Sequence, residues 1–326
     1  MRKPTEFDNA RLSPVETEST LDSSTARRRF LKCMAWAGAG TLFLMKGGVL
    51  EAKNLDALGG DAAVRDATFS FVQISDSHIG FHKEPNPDVV ASLHKAIGKI
   101  NAQRQAPAFI IHTGDLTHLS KPAEFDTVAE VMKGARAKTL YVPGEHDVIG
   151  DNGKEFFRRF GTGGTGWYSY DYGGAHFIAL INVLNLQAGG LGLLGQAQLD
   201  WLKKDLAHRS ASTPIVLFAH VPLWNLYPQW GWGTDDSAQA LGYLKRFGSV
   251  TVLNGHIHQI QQKVEGNVTF HTARSTAYPQ PAPGAGAGPG PLKDLSAGPL
   301  SSYLGIRNVR HVQGKHDLAV TDETLG

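Results

Sequence analysis

Phe69-Ser70-Phe71-Val72-Gln73-Ile74-Ser75-Asp76-Ser77-His78 decides how the chain is read. The apolar alternation at Phe69, Phe71 and Ile74 predicts a strand that ends at Asp76. An acid and an imidazole therefore stand at the strand's C-terminal end. The same arrangement recurs along the chain. Phe109-Ile110-Ile111 runs to Gly114-Asp115, and Thr139 to Val142 is stopped by Pro143-Gly144 ahead of Glu145-His146-Asp147. Pro214 to Ala219 delivers His220, and Val250 to Leu253 delivers Gly255-His256-Ile257-His258. Carboxylates and imidazoles are the ligands that hold pairs of first-row transition metals. Residues i and i+2 of an extended strand end face one side, so Asp76 with His78, and His256 with His258, can each address one ion. A two-metal cluster of this composition binds phosphoryl oxygens and activates water near neutral pH.

Between the first three strands lie two helical patterns. Val90, Leu93, Ile97 and Ile100 place a helix over Val89 to Ala102 with Asp88 as its N-cap, and Ala123 to Arg136 is helical again. The order β-α-β-α-β with short connections predicts a largely parallel sheet. Farther on, Trp167 to Asp171 and Ala175 to Ile181 read as a hairpin around Tyr172-Gly173-Gly174. Gln196 to His208 is an amphipathic helix. Residues 278–300, rich in Pro, Gly and Ala, read as a flexible or irregular loop. Tyr303 to Val309 and Leu318 to Val320 close the fold around a turn at Gly314. Trp224, Tyr227, Trp230 and Trp232 crowd the loop after His220. They either wall a pocket that stacks on a base or sugar, or form a local core. His118 reads as a supporting histidine at the rim of the cluster, and His82 and His112 as structural.

The ordered series D-x-H, G-D, G-E-H-D, lone His and G-H-x-H resembles the calcineurin-like metallophosphoesterase family over roughly residues 68–275. The resemblance implies an α/β fold, a two-sheet β-sandwich flanked by helices (αββα). It implies two metal ions, of Fe, Mn or Zn. Asp76, His78, Asp115 and His258 would hold one. Asp115, His220, His256 and the residue at the family's Asn position would hold the other, with Asp115 bridging. By the same likeness His146 contacts the substrate phosphate and assists the leaving group, while Asp147 orients His146. The chain departs from the pattern at Glu145, where the family has Asn. Glu145 either replaces the amide ligand or swings away and weakens the second site. The implied activity is metal-dependent hydrolysis of phosphate esters, with phosphodiesters the leading substrate class and a phosphomonoesterase the alternative. The alternative of another class is a non-catalytic protein that binds metal or a phosphate ligand.

The N-terminal part of the 326 residues is read as address rather than fold. Arg27-Arg28-Arg29-Phe30-Leu31-Lys32 precedes an apolar stretch from Cys33 to about Leu50, broken at Lys46. This resembles a twin-arginine export signal, and the stretch is too short and interrupted for a stable span. Residues 1–52 are the expected signal, cleaved near Ala52 or else retained as an anchor. Residues 53–66 are a linker and 67–326 the metallophosphoesterase domain, placed in the periplasm or outside the cell. Cys33 is the only cysteine, so the domain has no disulfide and no thiolate ligand. The formal net charge of +2 gives no basic surface for nucleic acid. The expected partners are the phosphate ester and the export machinery, and nothing in the sequence speaks to oligomeric state.

Overall fold

The computed structural model describes residues 41–46, 49–54, 67–184, 186, 189–312 and 318–326. The arginines at 27–29, Cys33, residues 55–66 and the expected turn at Gly314 lie outside the described residues. The chain divides into two units, Met1–Asn54 and Leu55–Gly326. In the first, β1 (Thr41–Lys46) and β2 (Val49–Asn54) pair antiparallel. Among the described residues no helix is long and apolar enough to cross a membrane.

The second unit holds two sheets. In the first, β3 (Ala67–Ile74), β4 (Ile110–His112) and β5 (Thr139–Tyr141) run parallel, as the β-α-β-α-β pattern predicts. β12 (Gly305–Val312) and β13 (Leu318–Thr324) extend it antiparallel beyond β3. The second sheet has the order β10-β11-β9-β8-β7-β6. Its central strands β7 (Ala175–Ala179), β8 (Ile215–Phe218), β9 (Val250–Asn254) and β11 (Val268–Thr272) are parallel. Its edges β6 (Tyr168–Tyr172) and β10 (Gln261–Glu265) are antiparallel. The β6–β7 turn is Gly173-Gly174, both at positive φ, the backbone a two-residue type I′ hairpin demands.

Period-two alternation explains the layering. Phe69, Phe71, Ile111, Phe177, Val216, Phe218 and Val309 fill the space between the sheets. Ile74 and Ile110 face outward against α1 (Val89–Asn101) and α2 (Pro122–Met132), with Phe156 of α3 (Lys154–Phe160) in the same core. Ile178, Leu217 and Val252 face α4 (Gln196–Ala207) and α5 (Ser237–Leu244) on the other side. The result is helix, sheet, sheet, helix. The α1 N-cap is as expected, Asp88 accepting from Ala91 N at 2.9 Å. The loop over 278–300 holds no strand, and its one regular turn is a 3₁₀ turn at Leu300–Ser302.

Candidate metal centre

The motif loops leave the C-terminal ends of the parallel strands and are stitched to one another. Asp76 N donates to Gly114 O at 3.0 Å, His78 N to Asp115 O at 2.9 Å, and Gly255 N to His220 O at 3.0 Å. The expected extended geometry at the D-x-H and H-x-H pairs does not occur. Asp76, His78, Asp115, His256 and His258 have φ of 55°, 41°, 54°, 72° and 53°. A left-handed residue turns the chain sharply, so each side chain is aimed by a bend rather than by a pleat. Such non-glycine residues cost on the order of 1–3 kcal/mol each and persist where the surroundings impose them. Gly144 permits the close approach of two loops, since a Cβ there would overlap Asp115 Oδ1 and the Asp115 amide.

The seven expected ligands converge. Asp115 Oδ1 accepts from His146 N at 2.9 Å, which turns Oδ2 inward. That oxygen lies 3.4 Å from His78 Nε2 and 3.4 Å from His220 Nε2. His258 Nε2 stands 3.4 Å from Asp76 Oδ1 and 3.1 Å from His78 Nε2. Glu145 does not swing away. Its carboxylate oxygens are 2.7 Å from His220 Nε2 and 2.9 Å from His256 Nδ1. Asp76, His78 and His258 thus form one group, Glu145, His220 and His256 another, and Asp115 stands between them.

The donor set fits two cations. His220 Nδ1 donates to Thr113 O at 2.7 Å and His258 Nδ1 to Tyr278 O at 2.6 Å. Each bond fixes the ring and leaves Nε2 as a lone pair turned inward. Asp76 Oδ2 and His256 Nε2 are buried with no hydrogen-bond partner, and Glu145 Oε2, His220 Nε2 and His256 Nδ1 are buried with no partner beyond their contacts within the cluster, the state of atoms whose partner is an ion. Burial and the nearby His146 push His78 well below the usual imidazole value, which keeps it neutral. Burial works against charge on Glu145, but His256 and His220 hold it well below the usual carboxylate range. Burial also opposes charge on His220 and His146. Asp115 and Glu145 outweigh it and raise both above the ordinary value; on His220 a cation at Nε2 would take the place of that proton.

The expectation for Asp147 needs correction. His146 Nδ1 donates instead to the carbonyl of His118 at 2.7 Å, and the two rings stack at 5.1 Å. Asp147 is buried behind them. It accepts from Gly144 N, Leu116 N, Thr117 N and Thr117 Oγ1 at 2.8–3.0 Å. A carboxylate one residue after His146 in a 3₁₀ turn points away from that ring, so it locks the loop backbones rather than the imidazole. His118 holds His146 through its backbone carbonyl, and its own Nδ1 lies 3.4 Å from His78 Nδ1. His112 is structural, its Nε2 2.9 Å from Ser77 Oγ. Tyr278 was not foreseen. Its carbonyl fixes His258, and its ring packs on His78 at 4.9 Å. It lies in the Pro/Gly-rich loop, where no periodicity marks it.

The cluster opens into a cavity of about 1180 Å³. His146, Glu145 and His256 face it, together with Phe81, Tyr278, Trp230, Trp232 and Gln280. The aromatic loop splits the two readings given to it. Trp230 and Trp232 wall the cavity, whereas Trp224 packs on Phe270 in the core beneath α4 and α5.

Residues 69–260 match the family described as calcineurin-like phosphoesterase, and the chain belongs to that family. A probable cyclic nucleotide phosphodiesterase of Rhodopseudomonas palustris is 27% identical over 227 residues, 64% of this chain and 78% of that one. A probable glycerophosphodiester phosphodiesterase of Arcobacter nitrofigilis is 24% identical over 229 residues, 64% of this chain and 78% of the relative. A dimetal phosphatase from Danio rerio shares the fold, with a TM-score of 0.61 at 12% identity over 80% of this chain and 98% of that one. The protein is a metal-dependent phosphoester hydrolase.

Proposed function

We propose that this member of the calcineurin-like phosphoesterase family hydrolyses small phosphodiesters, and that it does so after export by the twin-arginine route. The observation that carries the catalytic reading is the Asp115 carboxylate, one oxygen 3.4 Å from both His78 Nε2 and His220 Nε2. Asp76, His78 and His258 would hold one ion and Glu145, His220 and His256 the other, with Asp115 placed to serve both. Two ions held there would supply Lewis acidity and an activated water.

The chain's own residues do the rest. The cavity admits an ester group far larger than phosphate, since about 1180 Å³ exceeds what most drug-sized ligands fill. Trp230 and Tyr278 give it apolar faces for that group. His146, its Nδ1 bonded to His118 O, presents Nε2 as the position from which a proton reaches the leaving oxygen. The names of the two relatives, both phosphodiesterases, support the diester. Arg27-Arg28 with Phe30, Leu31 and Lys32 supports export, with residues 1–52 removed and 67–326 acting in the periplasm or outside the cell.

Turnover of bis(p-nitrophenyl) phosphate, glycerophosphodiesters, cyclic nucleotides and p-nitrophenyl phosphate by protein of known metal content tests this reading. Diesters should be the better substrates. A protein carrying two metals that turns over none of them would be the binding protein instead.

A further inference from the structure

Glu145 does more than replace a neutral ligand. It adds a third carboxylate to a cluster that already has Asp76 and Asp115, and it lines the cavity where substrate enters. Its oxygens face two imidazoles, at 2.7 and 2.9 Å, not a lysine or arginine that would cancel its charge at the cavity wall. The lysines lining the same cavity, Lys83 and Lys293, stand on exposed stretches of two other loops.

We propose that Glu145 is a specificity-determining residue that turns the site toward phosphodiester monoanions and against phosphomonoester dianions. The inference rests on the reading of the site as a diester hydrolase and supplies its basis for choosing between ester classes. A diester carries one negative charge. A monoester carries nearly two at neutral pH, its second pKa being about 6. Whatever charge the two metals bring, one added carboxylate repels the dianion by one unit of interaction more than the monoanion. At an effective dielectric of ~20 and a separation of ~6 Å, that unit is worth on the order of a hundredfold in relative affinity. Discrimination is built by an unfavourable contact to the wrong ligand as readily as by a favourable one to the right ligand. The same repulsion acts on the monoester product and helps expel it.

The test compares phenylphosphonate, at a pH well above its second pKa so that it is a dianion, with its methyl ester, a monoanion. Both are titrated calorimetrically into metal-loaded protein of measured metal content. In the native protein the dianion should bind within about tenfold of the monoanion. In Glu145→Gln the dianion should gain roughly a hundredfold relative to the monoanion, and Glu145→Asp should keep the native ratio. An unchanged ratio in a Glu145→Gln protein that retains both metals overturns the proposal. So does a native protein that already binds the dianion a hundredfold tighter. If Glu145→Gln loses a metal, the ligand pair on the native protein decides. The diesterase reading fails separately, if native two-metal protein does not turn over bis(p-nitrophenyl) phosphate.

Discussion

Positive φ at five non-glycine residues, Asp76, His78, Asp115, His256 and His258, marks where this fold spends stability on function. The strain is sustained where the side chain is held at a second point, as Asp76 Oδ1 is by His256 N and His258 Nδ1 by Tyr278 O. Asp115 is the sharpest case, with Oδ1 bonded to His146 N and Oδ2 shared between the two imidazole groups. Asp115→Ala should abolish diester hydrolysis and lower bound metal from two ions per chain. Loss of a direct ligand exceeds the ~10–100-fold cost typical of an outer-shell change, and full activity in the variant would end the two-metal reading. Gly144→Ala should do nearly the same without touching a ligand, because its methyl must displace the Asp115 carboxylate; metal analysis beside a circular-dichroism melt checks that the chain still folds. His146→Ala should keep its metals and lose roughly 10²–10⁴-fold in kcat. That loss should shrink for p-nitrophenyl esters, whose leaving groups need little protonation. Much of this was legible in the sequence, because acids and histidines follow apolar runs in a fixed order. The left-handed bends and the true partners of Asp147 were not. They depend on contacts such as Thr117 to Asp147 that no local spacing records.

At the level of elements, legibility followed hydrophobic pattern. β3, α1, β4, α2, β5 and the β6–β7 hairpin all carry a clear period and were read near their true bounds. β10 was not, since Gln261-Gln262-Lys263-Val264-Glu265 is a polar edge strand with one apolar residue. β12 was read from its apolar residues, which hides what Arg307 does. This arginine is fully buried between the sheets. It donates to Asp322 of β13 at 2.8 and 2.9 Å and to Thr272 O of β11 at 2.9 Å. Asp322→Ala should cost about 3–5 kcal/mol, the usual effect of leaving a buried charge without its partner. Replacing both residues by apolar ones of similar size should recover most of the loss, as chemical denaturation can measure. The aromatic loop after β8 permits a second test at this scale. Trp230→Ala should raise KM for diesters with bulky ester groups more than for dimethyl phosphate, since only the former fill the cavity it walls. A uniform change would assign Trp230 to packing alone.

For the whole molecule, the centre draws its ligands from five segments spread between Asp76 and His258, so it exists only in the folded chain and metal binding is coupled to folding. This bears on export. A chain secreted unfolded would have to find its metals outside, whereas a chain translocated folded can carry them from the cytoplasm. The twin-arginine signal proposed at Arg27-Arg28 would use the second route. Fusing residues 1–60 to a folded reporter should therefore export the reporter. Arg27→Lys together with Arg28→Lys should trap it in the cytoplasm. In the full-length chain the same double variant should accumulate inside the cell with two metals bound and with normal diester turnover after lysis. Neither arginine lies within 67–326, the segment that builds the site. Export of the double variant at the native rate would remove the twin-arginine assignment and leave the hydrolase intact. A trapped variant that lacks metal would instead mean that loading takes place after translocation, so that folding and export would not be coupled through the metals.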